Sequence, residues 1–449
     1  MGNSKTGNAE VAVKNKNHGD PWIWGIYFML CFISVLEAYS ASSQMIGSSG
    51  VFGPLIKHAG TLVAGGVVLF IVQHFSYEKI IPLIPWAILL TIGSMVYVLF
   101  HGDYLNGALR SFTIFGVSVQ PSEIAKLVVV TAVSWIMSRY QMPGGVKTVG
   151  VVLSAIVVLI FGGLTYSQGF TNTAILMSIS LAMLLIGGIQ IKKFLLVLVF
   201  YMIAALCYLG YNHIKENAEA ERQQDSDIAV EQIMSSATVA DNVARQSSKA
   251  EVDRDRSGTR SKRLARFDWN EDSCLNHPLT SEYLQEQYAY MARAHGGIWG
   301  VLPGNSRECS RLPLSFSDYI YSIIVEELGL IGGIFVLILY LALLARAVMI
   351  VPKCKRAFPA LLIMGMAVMI TVQALSHIAI NCGAVPISGQ PLPLISSGGS
   401  AIVIINVAFG IMISVSKFAV TGKSSGKQVD DKEKGLTSKV LEAENPTQI

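Results

Sequence analysis

The sequence predicts an all-α integral membrane protein of about ten transmembrane helices, with a large extracytoplasmic loop between helices 7 and 8. Three observations lead there. Of 449 residues, 52% are hydrophobic and only 14% are charged, whereas a soluble domain carries about 25% charged residues. Uncharged apolar runs recur along the chain, and about 18 or more such residues suffice to cross a bilayer. Lysine and arginine alternate between crowded and nearly empty connections, the pattern of a chain that crosses many times.

Residues 1–20 read as a polar tail on the cytoplasmic side. Residues 21–212 hold the first seven helices: Pro21–Glu37, Ala59–Val72, Ile80–Phe100, the stretch after Glu123, Thr148–Thr165, Thr171–Ile191 and Phe194–Tyr211. The first run ends in "AYSASS", a faint cleavage-site pattern, but the nine spans that follow make cleavage unnecessary. Residues 213–317 form the long loop. Its first half, 213–262, is rich in alanine and glutamine and is expected to form one or two amphipathic helices. Its second half gathers Phe267, Trp269, Tyr283, Tyr288, Tyr290 and Trp299, then the glycine-rich His295–Ser306, where backbone can approach a ligand closely. Residues 318–417 supply helices 8–10, over Leu328–Ala345, Ala357–Ser376 and Gly398–Ser416, and 418–449 are a second polar tail.

Orientation follows from the short loops. With the N-terminus inside, the inner segments collect Lys5, Lys14, Lys16, Lys79, Arg139, Lys147, Lys192, Lys193, Arg346, Lys353, Lys355 and Arg356, while the short outer loops hold only Lys57 and Arg110. Basic residues in short loops stay cytoplasmic, and long loops translocate whatever their charge. Both termini are therefore expected in the cytoplasm. A net charge of +4, scattered over the chain, gives no footprint for nucleic acid. Cys274 and Cys309 both lie in the outer loop, where an oxidising compartment permits a bridge; nothing in their spacing requires one, and two free thiols is the simpler reading.

Charge within a bilayer costs about 2.5–3.5 kcal/mol on insertion scales, so the polar residues kept by the spans carry the information. In "QPSEIAKL", Pro121 suits a first helical turn that Gln120 or Ser122 would cap, and Glu123 and Lys126, three apart, share a face and can pair. That pair reads equally well as a structural ion pair at a helix entrance. In "SFSDYIYSIIVEELG", Asp318 stands where the loop meets the eighth span and reads either as its N-cap or as a base. Glu326 lies eight residues on, within about 80° of the same direction, so the two carboxylates can address one cavity. Gln373, His377 and Asn381, four apart, form a polar stripe that serves either as interhelical packing or as a site. The proline- and glycine-rich loop after them must be packed in protein or line a cavity. Glu37, closing the first span, is expected in water at the outer interface.

At these four motifs the chain resembles the SEDS family (shape, elongation, division and sporulation) over nearly its whole length. "QPSEIAKL" is similar to the family's QPSE-x-x-K, "HGGIWGVLPGNS" to its GG-x-x-G-x-x-x-GNS loop, "SFSDYIYSIIVEELG" to HTDFIF-x-x-x-EELG, and "PISGQPLPLISSGGS" to P-x-TG-x-x-LPFISYGGS. "YLQEQ" and "GQPLPLISSGG" look like division-type members of the Bacteroidetes lineage. The resemblance implies a peptidoglycan glycosyltransferase that polymerises lipid II at the outer face of the cytoplasmic membrane. It implies Asp318 as general base, with Glu123 and Lys126 as catalytic companions. Its candidate substrate contacts are Arg110, Arg260, Arg263, Arg266, Gly296, Gly297, Asn305, Ser306, Glu326, His377, Asn381 and Ser400. A divalent cation, Mg or Mn, would help carry the diphosphate; a class B penicillin-binding transpeptidase and other divisome proteins would be partners. A lipid II flippase or transporter, and an elongation-type polymerase, are the competing readings. The chain departs from the family at Ser111, where Trp is usual, at Phe316-Ser317, where His-Thr is usual, and at Ser397 in "ISSGG", where Tyr is usual.

Overall fold

The computed structural model describes residues 19–44, 52–105, 108–114, 117–203, 206, 210, 284–312, 315–386 and 388–421. Helices dominate: α1 (Pro21–Gln44), α2 (Phe52–Val72), α3 (Ile84–His101), α4 (Pro121–Arg139), α5 (Thr148–Gln168) and α6 (Phe170–Ile186), then α7 over 191–203. From residue 284 onward come α8 (Leu284–Gly296), which falls inside the expected 213–317 loop, then α9 (Ile320–Ile350), α10 (Ala357–Asn381) and α11 (Gly399–Thr421). Eight of the described helices are long and apolar enough to cross a membrane, and α6 is a shorter apolar helix, so the chain is a multi-pass membrane protein.

A small antiparallel sheet, absent from the sequence reading, fills the connection between α3 and α4. Strands β1 (Asp103–Leu105), β2 (Ala108–Ile114) and β3 (Val117–Val119) pair in chain order. Three short strands lack the length to give a periodicity that stands out among apolar spans, yet their ladder satisfies backbone groups beside the membrane. A second hairpin, β4 (Gln141–Met142) and β5 (Gly145–Val146), joins α4 to α5.

The bundle is layered around α10. The spanning windows of α10, α4 and α11 are 89%, 78% and 78% buried, against 22% for α2 and for α3. Helix α10 packs on α4, α6, α9 and α11. This explains why α4 can carry Ser122, Glu123, Lys126, Thr131 and Ser134 inside a membrane protein: all five are buried against protein, where polar groups find partners that lipid cannot give. At one end of the bundle Arg346 clasps Asp20, Nη2 to Oδ2 at 2.7 Å and Nε to Oδ1 at 3.0 Å. The Asp20 N–H donates to Ser416 Oγ, and Arg356 reaches Glu78 at 3.1 Å. Segments assigned to one side of the membrane from their lysines and arginines do meet at one end.

Three expectations about boundaries change. Helix α9 begins at Ile320, eight residues before the expected Leu328, and Tyr319 rather than Asp318 holds its N-cap position. Gln120 sits at the N-cap of α4 but makes no side-chain cap bond, and the Ser122 hydroxyl accepts from Asn172 instead. Helix α1 continues past Glu37 to Gln44, which carries Glu37 into the protein, where it is buried.

Helix α9 is also broken. Gly329 has φ 73° and ψ −178° inside it, and the freed backbone is taken up by the loop after α8. Val301 and Leu302 donate their N–H groups to the carbonyls of Glu326 and Glu327 at 3.0 and 2.9 Å, and Leu330 N–H donates to Gly297 at 3.0 Å. A Cβ at Gly329 would fall on the Ile298 carbonyl, and one at Gly300 on the Glu327 carbonyl. Gly329→Ala should therefore cost at least about 1–3 kcal/mol from the positive φ alone, read as a lower melting temperature in detergent. An unchanged melting temperature would mean that the crossing is not tight.

Candidate active site

The polar stripe of α10 joins the motifs, one residue to each. Gln373 donates from Nε2 to Glu123 Oε2 on α4 at 3.2 Å. Four residues on, His377 Nδ1 lies 2.6 Å from the Gln390 carbonyl. A carbonyl only accepts, so Nδ1 carries the proton and Nε2 is left as an acceptor for Asn381 Nδ2 at 3.2 Å. Asn381 in turn grips the start of α9. Its Nδ2 donates to the Asp318 carbonyl at 3.1 Å, and its Oδ1 accepts from the Ser322 N–H at 3.2 Å and hydroxyl at 3.0 Å. All three stripe residues are buried. As interhelical packing, the stripe is what ties the three motifs together.

Asp318 is held by its backbone and left partly open at its side chain. The Ser396 hydroxyl donates to the Ser317 carbonyl at 2.7 Å, and Ser397 N–H donates to the Phe316 carbonyl at 3.0 Å. With Asn381, these fix the three carbonyls of Phe316, Ser317 and Asp318. The Asp318 carboxylate accepts from Ser317 Oγ at 2.9 Å and is half-buried. A serine in place of the family's threonine thus still supplies a hydroxyl donor to Asp318. The loop that delivers Ser396 is itself pinned: Tyr340 OH donates to the Pro393 carbonyl at 2.6 Å and Ser34 Oγ to Leu394 at 2.8 Å. Leu394 has φ 65°, uncommon for a branched side chain, so these bonds hold a strained turn.

Glu123 and Lys126 do pair, Nζ to Oε1 at 2.7 Å, with both side chains almost wholly buried. Glu123 accepts from Lys126 on one oxygen and Gln373 on the other. At the head of α4 the Gln120 N–H donates to Ser400 Oγ at 3.3 Å, so Ser400 ties the last motif to the first. Gln373 and Asn381 are eight residues apart on α10, about 12 Å of helix rise. The ion pair is therefore anchored deeper in the bundle than Asp318.

Glu326 has a different setting from Asp318. It is fully buried and accepts from His295 Nδ1 at 2.9 Å, from the Ser306 hydroxyl, and from the Arg307 and Glu308 N–H groups at 2.9 and 3.4 Å. Both of its oxygens are engaged in folding residues 295–308 onto α9. Gly296 packs on the Val325 carbonyl, and Gly297 turns at φ 53°. Asn305 Nδ2 donates to the Val301 carbonyl at 3.1 Å.

Ser40 is the one of these connecting residues that the sequence reading does not name. Ser40 donates to Glu327 and accepts from the Gly304 N–H at 3.0 Å, joining α1, α9 and the glycine loop. Glu37, one turn earlier on the same face, lies buried near Glu327, contrary to the expected exposure. The three-residue spacing of Glu37 and Ser40 was the available signal. Cys309 is also buried, and burial pushes its thiol up to about 11, so it is no nucleophile at neutral pH. Arg260, Arg263, Arg266 and Cys274 lie outside the described residues; Arg110 lies on β2, and only its backbone is described. Among the described residues, no group of three or more His, Cys, Asp or Glu side chains could hold a metal. Among the described residues, Asp318 does not by itself make a cation site.

Comparison with known proteins gives consistent matches. The FtsW/RodA/SpoVE family model, described as "Cell cycle protein", matches residues 21–224 and 255–421. The chain is 26% identical to the "Probable peptidoglycan glycosyltransferase FtsW" of Bacillus subtilis (strain 168), over 92% of this chain and 94% of that one. It is also 26% identical to the "Peptidoglycan glycosyltransferase MrdB" of Escherichia coli (strain K12), over 89% and 94%. Among solved structures, a chain of a peptidoglycan synthase complex superposes with a TM-score of 0.60 at 19% identity, covering 89% of this chain and 98% of that one. The rod shape determining protein RodA of Thermus thermophilus gives 0.58 at 18%, covering 90% and 99%. At such identities the structures establish a shared fold.

Proposed function

The chain belongs to the FtsW/RodA/SpoVE family of cell cycle proteins, and on that premise we propose that it is a peptidoglycan glycosyltransferase that polymerises lipid II, with Asp318 as general base. The observation that carries the mechanism is the clamp on residues 316–318, which fixes a carboxylate at the head of α9 while leaving it half-buried. A carboxylate with a reference pKa near 3.9 is ionised at neutral pH. It takes the proton of the acceptor sugar hydroxyl as the new glycosidic C–O bond forms and the bond to the diphosphate-linked lipid breaks. Positioning is worth as much as basicity here, because a general base acts only within hydrogen-bond reach of its proton. Gln373 and Ser400 hold the head of α4, through Glu123 and the Gln120 N–H, against α10 and the start of α11. The leaving diphosphate is met by arginines, with Arg110, Arg260, Arg263 and Arg266 the candidates, since their planar forks suit phosphate oxygens.

Purified protein supplied with lipid II should produce glycan chains resolvable on a gel. Flipping of fluorescent lipid II across vesicles without polymerisation would instead favour a transporter, for which the buried Glu123, Lys126 and His377 would line a path. Against that path, each of the three is already engaged by a structural partner.

Within the family we place the chain with division-type members of the Bacteroidetes lineage, on "YLQEQ" and "GQPLPLISSGG"; its identity to FtsW and to MrdB is the same, 26%. A class B penicillin-binding transpeptidase and other divisome proteins are its proposed partners, a reading supported by the synthase-complex neighbour and tested by co-purification. The site is proposed to face away from the cytoplasm. Exposed Cys382, next to Asn381, should then react with a membrane-impermeant maleimide in intact cells when it is the chain's sole cysteine. Labelling only after the cells are opened would reverse the orientation.

A further inference from the structure

Non-helical backbone and outward apolar side chains coincide in residues 297–302. The backbone polar groups turn inward: Gly300 N–H donates to Gly296 at 2.8 Å, Val301 and Leu302 donate to Glu326 and Glu327, and the Gly297 and Ile298 carbonyls accept from Leu330 and Ile331 at 3.0 and 3.4 Å. The side chains turn outward. Trp299 is 80% exposed, with Ile298 at 60% and Leu302 at 67%. Leu302 adopts φ 74° to do so. A loop built for water has no need to satisfy its backbone internally while presenting three large apolar groups.

The neighbourhood identifies what covers them. The Ile298 carbonyl is bonded to Ile331, and Ile331 belongs to an exposed apolar stripe on α9 with Leu330, Ile334, Phe335 and Ile338. From Leu330 to Ile350 the helix rises about 31 Å at roughly 1.5 Å per residue, and a hydrocarbon core is about 30 Å thick. The break at Gly329 therefore falls at the edge of the core, with 297–302 beside it. We propose that this loop is a membrane anchor, seated at the headgroup–acyl boundary of the leaflet on the Asp318 side. Trp299 sits in the interface, and Ile298 and Leu302 rest on the acyl chains. Tryptophan concentrates at that depth, and irregular backbone is tolerated near it only when its polar groups are met by protein. Because the same ladder binds the loop to the first turns of α9, the anchor fixes the height of Asp318 above the bilayer.

The test uses the full chain in vesicles, with the emission of Trp299 taken as the difference between wild type and Trp299→Phe. In lipids brominated on their acyl chains that difference signal should fall at least about twofold, as expected for an interfacial indole, and aqueous iodide should leave it unchanged. Quenching by iodide and not by bromolipid would place the loop in water and overturn the anchor, leaving a protein partner as its occupant. Shielding from both would overturn it as well, by showing that the chain itself covers the loop. Trp299→Tyr, read in the same way, serves if the phenylalanine variant does not fold.

Discussion

Asp318→Asn should yield a protein that purifies and melts like wild type yet makes glycan from lipid II more slowly by about 10²–10⁴, the usual worth of a positioned base. The fold should survive for a reason visible around the residue. Tyr319, not Asp318, occupies the N-cap position of α9, and the clamp works through the carbonyls of residues 316–318, which the substitution leaves in place. The side-chain bond from Ser317 Oγ to Oδ1 can be accepted by an asparagine oxygen too. Product formed at the wild-type rate would remove Asp318 from the chemistry. A shifted melting temperature would mean instead that the carboxylate is structural.

Lys126→Ala should act the other way, through the fold. It strips the Glu123 carboxylate of its cation in a site where both side chains are almost fully buried, leaving it the Gln373 amide as a donor at 3.2 Å. Breaking a buried pair from one side typically costs about 3–5 kcal/mol, because a charge is left without compensation, whereas replacing both members by neutral groups of similar volume is often tolerated. The single variant should therefore melt far lower or aggregate on extraction, and Glu123→Gln combined with Lys126→Met should restore most of the loss. If the restored double variant makes no glycan, the pair also contributes to substrate handling; if it is active, the pair serves only to hold α4. A stable Lys126→Ala would contradict the buried geometry itself.

The spans were legible because crossing a bilayer imposes a length and a composition that each segment must meet alone. Ala357–Ser376 and Gly398–Ser416 anticipate α10 and α11 closely. The breaks were less legible. The kink at Gly329 depends on a partner loop that takes up the freed backbone groups, and no local pattern announces a partner. Glu37 was misread for a related reason: an apolar run that ends in sequence need not end in space, and α1 continues past it into protein. Glu326 was read as sharing a cavity with Asp318 from angular direction alone. The structure gives it four donors from residues 295–308, a setting that helical phase cannot reveal.

By itself the sequence determined that this chain crosses the membrane many times and, through four motifs in order, the family it belongs to. Tertiary structure alone decided how those motifs combine. The bonds that assemble the site join residues 250 apart, as between Gln373 and Glu123, or 280 apart, as between Gln120 and Ser400. Span composition is a contract between each segment and lipid, and can be read one segment at a time. A buried hydrogen bond is a contract between two side chains that only packing brings together, so its partner stays unwritten until the helices meet.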